Sequence, residues 1–379
     1  MEKEFLNQRY KLFACCIPVK GYYRSGIVDI NRHKIHIIPH SLFYIIKRYK
    51  SKAFSEILKN FNEDETAILI EYLDFLKKNE IVFPVHKEEI NRFPTLPLHW
   101  DFPSNCSNAI LDLGIKSNSN YINCLSQLNK INCFHLQIRL LDIIEIPKIH
   151  DMLTHASSLS FHTIQLIIDY RVANSEDFFK DLMKQYWKLS KIEVFNAPMN
   201  KFSPVVEPVT LVIFHERKSL NITQCGNIDQ RYFSIEMNHF TEAQHFNTCL
   251  NRKLCIDENG EVKNCPSMSR NFGHIDNVDL KDIISNPDFT GIWSIRKDDI
   301  DVCKDCEFRY VCTDCRCFIK DLDNIYSQPA KCKYNPYIAK WEGEQDYITV
   351  EKWREENPTW EKGIKRYPLV KNPQKIDGE

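Results

Sequence analysis

At 379 residues the chain has length for two to three domains. Hydrophobic residues make up 43% and charged residues 27%, enough apolar material for a sizeable core, which excludes wholesale disorder. With 50 Lys and Arg against 51 Asp and Glu, the formal net charge of -1 removes the electrostatic case for a nucleic-acid partner. There is no run of about 18 apolar residues to span a membrane, and residues 1–9 contain no apolar signal core. A cytoplasmic protein with no membrane partner is the expectation. Glycine is scarce at 10 residues, and neither G-x-G-x-x-G nor a phosphate-binding loop occurs, which argues against an intrinsic dinucleotide or nucleotide site.

Residues 1–90 read as a small domain. Short strands are expected at 13–16, 26–30 and 36–39, followed by helices over 42–48 (capped by Ser41) and 56–61 (capped by Ser55). Asn62 opens a longer helix with Ile68, Leu69, Tyr72, Leu73 and Leu76 at amphipathic spacing, and a closing strand follows at 79–84. Strands, three helices and a closing strand suggest a winged-helix-like unit. A proline-containing linker spans 85–100. From 91 to 240 strand and helix alternate: strands at 110–115, 134–140, 163–169, 191–195 and 209–214, and helices at 121–130, 147–157 and from Ser175 to about Leu189. Repeated βα units imply an α/β fold with a parallel sheet, and four to six units are too few for an eight-fold barrel, so an open or partial (β/α) barrel is expected. Residues 241–340 hold a cysteine cluster, and 341–379 form a polar tail whose last dozen residues are expected to lack fixed structure.

Fifteen cysteines, an odd number in an expected reducing compartment, do not suit a disulfide framework. Nine fall between Cys249 and Cys332. The run Cys303-Lys-Asp-Cys306-Glu-Phe-Arg-Tyr-Val-Cys312-Thr-Asp-Cys315 is C-x2-C-x5-C-x2-C. Two such pairs can form a tetrahedral zinc site, although zinc ribbons space their pairs by ~15–20 residues. Iron–sulfur clusters use closely spaced cysteines plus a remote one. Upstream, Cys255 and Cys265 flank a hairpin with Asn259-Gly260 at its turn. A three-residue loop, with Gly260 left-handed and Asp257 opposite Glu261, puts both cysteines on one face; a two-residue loop puts them on opposite faces. A shared metal centre therefore requires the three-residue register. Two [4Fe-4S] clusters need eight thiolates; a single zinc or cluster, with the other cysteines as buried small hydrophobes, is the alternative.

This segment resembles the SPASM domain, a twin-cluster module that follows many radical S-adenosylmethionine (SAM) enzymes acting on peptides. Gly260-x4-Cys265 and Cys303-x2-Cys306-x5-Cys312 match the family pattern, and Cys332 supplies its last cysteine. Cys315 falls one residue early and Cys317 flanks the expected position, so both stay open as ligand. The resemblance implies one [4Fe-4S] cluster on Cys249, Cys255, Cys265 and Cys315, and a second on Cys303, Cys306, Cys312 and Cys332. Radical SAM domains carry C-x3-C-x2-C after their first strand. Here that loop reads Lys116-Ser-Asn-Ser-Asn120 and the motif occurs nowhere, so the barrel reads as degenerate, with no SAM site.

The combination with Cys332-Lys-Tyr-Asn-Pro336 looks like the SPASM component of grasp-with-spasm systems. That resemblance implies a peptide maturase or maturase subunit, partnered by an ATP-grasp peptide ligase and a ribosomal precursor peptide. The N-terminal domain is similar to the winged-helix leader-binding element of peptide-modifying enzymes, with residues 36–39 beside helix 63–79 as the docking edge. A non-catalytic adaptor with purely structural metal is the alternative. Elsewhere ordinary roles are expected: His33, His36 and His40 in a solvated loop, Cys15-Cys16 as a strand pair, and Trp341, Trp353 and Trp360 docking the tail. Asp112 and Asp169 read as strand-end carboxylates, and Lys47, Arg48, Lys50 and Lys52 as a solvated basic run.

Overall fold

The computed structural model describes residues 7–117, 119–206, 210–218 and 225–360. The chain divides into two units, each assembled from separated stretches: Met1–Trp100, Ile228–His245 and Arg296–Glu379 form the first, Asp101–Asn227 and Phe246–Ile295 the second. The cysteine-rich stretch is thereby shared. Cys249, Cys255 and Cys265 fold with the second unit, and Cys303 to Cys332 with the first.

The first unit opens with β1 (Arg9–Leu12), β2 (Cys16–Lys20), β3 (Ser25–Asp29) and β4 (Lys34–Ile38). β2, β3 and β4 make an antiparallel sheet in that order, so β4 is an edge strand. Helices α1 (His40–Arg48), α2 (Phe54–Leu58) and α3 (Glu63–Lys78) follow, and β5 (Val82–Val85) returns to pair with β1. The strand expected at 13–16 is instead the turn that carries the chain from one sheet to the other, closed by Cys16 N donating to Phe13 O at 3.0 Å. Neither expected serine cap forms. α1 begins behind Pro39, and Ser41 turns inward to Tyr72 Oη at 2.7 Å. α2 begins at Phe54, behind Ala53. Asn62 does cap α3, accepting from Glu65 N while Glu65 answers its own N–H, a reciprocal capping box. Ile68, Leu69, Tyr72, Leu73 and Leu76 are all buried, each contributing about 1.5–3 kcal/mol by transfer from water.

The second unit alternates β6 (Asn108–Leu113), α4 (Tyr121–Lys130), β7 (His135–Leu140), α5 (Ile146–Ser158), β8 (Thr163–Asp169), α6 (Glu176–Gln185) and β9 (Leu189–Phe195). β10 (Lys201–Val206), β11 (Thr210–Phe214), β12 (Lys253–Ile256) and β13 (Val262–Lys263) complete an eight-stranded sheet ordered β10-β11-β9-β8-β7-β6-β12-β13. The central strands from β11 to β12 run parallel, with antiparallel β10 and β13 at the edges. The mostly parallel α/β sheet agrees with the alternation in the sequence. Two details differ. α6 stops at Gln185 because Leu189 opens β9 opposite Ile164. β10 has no counterpart among the expected strands; Pro204 breaks its strand pattern, and an edge strand tolerates the missing N–H.

Farther on, the first unit adds the hairpin β14 (Tyr334–Asn335) and β15 (Lys340–Trp341) and a helix over Val350–Glu356. Trp353 stacks on Tyr337 with centroids 4.4 Å apart, and Trp360 and Tyr22 pack edgewise around them, so these aromatics do dock the tail. The final dozen residues lie outside the described residues. Among the described residues, no helix is long and apolar enough to cross a membrane.

Candidate metal centre

In the second unit the hairpin adopts the three-residue register. Cys255 pairs with Lys263 and Ile256 with Val262, and Asp257 N donates to Glu261 O at 3.1 Å. Gly260 is left-handed at φ +79, and a Cβ there would meet His274 Nε2 at 2.4 Å, so both backbone and space demand glycine. Asp257 Oδ1 ties the loop by accepting from Asn259 N and Glu261 N, while Oδ2 accepts from Lys263 Nζ at 2.6 Å. Cys255 is fully buried, and burial pushes its thiol upward. Asp112 pushes it further up and Arg139 pulls it back. Asp112 and Arg139, on neighbouring strands β6 and β7, form a buried bidentate ion pair. Burial raises the Asp112 carboxyl against the pull of Arg139. Cys249 is half-buried, its N–H donating to Asn247 Oδ1 at 3.0 Å.

In the first unit Cys303, Cys306, Cys312 and Cys332 all line one apolar-walled cavity. A short helical turn over Cys303–Asp305 presents the first two, and a turn closed by Cys312 N on Phe308 O at 3.0 Å brings back the third. Cys332 stands just before β14. Phe233, Phe308, Tyr334 and Trp341 contribute aromatic wall. Burial pushes the Cys303 thiol up to about 12 and the Cys312 thiol up to about 11, with that of Cys306 well above its ordinary value. Unligated, these thiols keep their protons at neutral pH; metal displaces them.

Lys297 reaches this cavity and is itself buried, at 4% exposure. Its Nζ lies 3.7 Å from Cys312 Sγ and 4.0 Å from Cys303 Sγ, and donates to Thr313 O at 3.2 Å. Burial presses its ammonium down, but the negative charge of Asp314 and of Cys303, Cys312 and Cys332 as thiolates outweighs it, and the net shift is upward. The donor set suits an iron–sulfur core: four sulfurs around one cavity, with a buried cation against them. Cys315 is buried and Cys317 half-buried; Cys315 belongs to the first unit, unlike Cys249, Cys255 and Cys265.

Sequence reasoning missed Lys297, Asp314 and Arg316, because charged side chains are ordinarily solvated and nothing in their spacing sets them apart. It also missed a buried pair beside Cys306, in which Glu307 accepts from Arg24 Nε at 2.8 Å and from Tyr334 Oη at 2.5 Å. The three histidines are not a solvated loop. His40 is buried between Ser25 Oγ and Tyr22 O, His36 packs edgewise on Phe75, and only His33 is exposed. β4 carries His36 and α1 carries His40, while His33, in the turn before β4, meets Ile235 O at 2.6 Å. The Cys15 and Cys16 sulfurs lie within 4.8 Å of an Asp29 oxygen, but Asp29 is already held by Arg32 at 3.0 Å. Asp169 is taken up by Arg171 and Asn196. Lys47, Lys50 and Lys52 are among the residues lining an apolar cavity in the first unit.

Residues 248–307 match an iron–sulfur cluster-binding domain, the SPASM family. The chain therefore carries a SPASM domain, and the match takes in Cys249, Cys255, Cys265, Cys303 and Cys306. No curated protein matches the chain. Among solved structures, a crystal structure of Streptococcus suis SuiB bound to S-adenosylmethionine aligns over 81% of this chain and 96% of that one, at 9% identity and a TM-score of 0.34. That score is too low to carry a fold or a function across.

Proposed function

We propose that this protein is an iron–sulfur maturase or maturase subunit that acts on a ribosomally made precursor peptide together with an ATP-grasp ligase, and does not itself cleave SAM. The observation that carries the reading is the convergence of Cys303, Cys306, Cys312 and Cys332 on one cavity, within a chain whose residues 248–307 match an iron–sulfur domain. These four would hold one [4Fe-4S] cluster. Cys249, Cys255 and Cys265, with Cys315 or Cys317, would hold the other; the one-face register of Cys255 and Cys265 supports that assignment. The missing C-x3-C-x2-C motif supports the absence of SAM chemistry, since a cluster with an open iron needs three neighbouring thiolates. The N-terminal strands and helices would form the winged-helix-like leader-binding domain. Open-edged β4 would take the precursor as an added strand beside α3.

What the chain's own residues do follows from this arrangement. The cysteines position an inorganic core, the aromatic wall keeps water from it, and β4 supplies backbone donors and acceptors to a peptide. The core, when bound, supplies electron transfer or substrate anchoring. Anaerobic purification with iron and sulfide counting tests the first part: two [4Fe-4S] clusters give about eight irons per chain, and Cys306→Ala loses about half. Zinc in their place rejects the reading. The second part is tested by precursor modification with ligase alone, with ligase plus this protein, and with Cys306→Ala. Modification that persists with folded Cys306→Ala means that the chemistry of that cluster is not required, which favours the adaptor reading.

A further inference from the structure

Lys297 brings to the first-unit cavity a buried positive charge that no carboxylate meets closely. Lys297 Nζ has three donors; Thr313 O takes one, at 3.2 Å, and the Cys312 and Cys303 sulfurs stand at 3.7 and 4.0 Å. The nearest carboxylate, Asp314 Oδ1, is 3.8 Å away and is engaged more closely by Arg316, through Nε at 3.0 Å and its terminal nitrogen at 2.8 Å. Two buried cations thus share one buried carboxylate. On the same cavity, Trp341 Nε1 is buried and has no hydrogen-bond acceptor among the described residues. A thiolate-held iron–sulfur core carries net negative charge, and its potential follows the charges and hydrogen bonds at its sulfurs.

We propose that Lys297, with Trp341 Nε1 as an auxiliary donor, sets the reduction potential of the cluster held by Cys303, Cys306, Cys312 and Cys332, raising it above the value a neutral cavity would give. The proposal rests on the iron–sulfur reading above. Lys297 is a positioning residue here: it acts on the cluster's electronics and touches no substrate. A fixed cation stabilises the added electron, so this cluster is the more easily reduced for having it. Asp314 opposes it.

The test uses the full chain, reconstituted anaerobically, with iron and sulfide counted before a potentiometric titration followed by electron paramagnetic resonance. The signal absent from Cys306→Ala identifies the cluster concerned. Lys297→Gln shifts its midpoint to more negative potential, and Lys297→Arg stays near the parent. Asp314→Asn shifts it the opposite way, to more positive potential, and Trp341→Phe shifts it negative by less than Lys297→Gln. A merely structural lysine gives no such opposition of sign. Lys297→Gln with full iron and an unmoved or more positive midpoint overturns the proposal. If that variant does not load, Asp314→Asn decides: a midpoint that fails to rise overturns it equally. A parent chain without iron and sulfide defeats the underlying reading instead, a result distinct from a loaded cluster whose potential ignores Lys297.

Discussion

Buried charge at single residues distinguishes this protein more than its exposed acids and bases do. Arg24 and Glu307, with side chains 8% and 0% exposed, form a pair whose carboxylate also accepts from Tyr334. Removing one partner strands the other, so Arg24→Met is expected to cost about 3–5 kcal/mol in chemical denaturation of the first unit. Glu307→Gln, which keeps an acceptor for Tyr334, should cost less. Gly260→Ala meets both a left-handed backbone and the His274 ring, and a loss of about 2 kcal/mol or more is expected, read as a lowered urea midpoint. A neutral result there would show that the hairpin relaxes around the added methyl. Gly260 and the cysteines around it are marked by their spacing along the chain. Lys297, Arg24 and Asp314 carry no such mark, because a charged residue declares its burial only through distant neighbours.

Among the elements, α3 is the easiest to read. Asn62, Glu65 and an apolar stripe agree on its start, its cap and its buried face. Asn62→Ala should cost about 1 kcal/mol, measured as a shift in the thermal midpoint. α1 and α2 begin without side-chain caps because tertiary packing decides where they start: Ser41 is worth more bonded to Tyr72 than at a helix end. Edge strand β4 adds a pH dependence. Burial lowers the His36 imidazole below its ordinary value, more than Asp29 raises it. The unfolded chain then binds the extra proton first, so His36 contributes stability fully above the unfolded pKa of about 6.5, and that contribution is lost as pH falls toward the folded value. Urea midpoints compared at neutral and mildly acid pH should fall more for the parent than for His36→Phe; parallel falls would exclude His36 as the cause.

At the level of the whole molecule, the proposed assignment predicts two gross behaviours. Incubation with SAM and a strong reductant should yield no 5′-deoxyadenosine, since no three cysteines stand at C-x3-C-x2-C spacing; product above background would reverse that assignment. Stripping iron with a chelator under reducing conditions should leave the sheet of the second unit protected while raising protease cleavage between Arg296 and the β14–β15 hairpin. The second unit's sheet has its own apolar core. The Cys303–Cys332 region instead surrounds its cavity with short turns and few regular elements. Unchanged cleavage after iron loss would mean that the turns stand without a guest.

The alternation of βα units, the α3 stripe and the spacing of Gly260 and Cys265 are local facts. Period, cap and turn chemistry act over a few residues, and they carried the α/β class and the hairpin into view, while its three-residue register followed only from asking Cys255 and Cys265 to share a metal centre. Convergence is a different matter. Cys306 and Cys332, 26 positions apart, are joined in the sequence only by the family resemblance; the fold sets both on one cavity, and splits the cysteine-rich stretch so that Cys255 folds with one unit and Cys303 with the other. No spacing rule anticipates which unit a segment joins, because that follows from which apolar surfaces bury each other. For the same reason, only the folded chain reveals an ammonium held against sulfur.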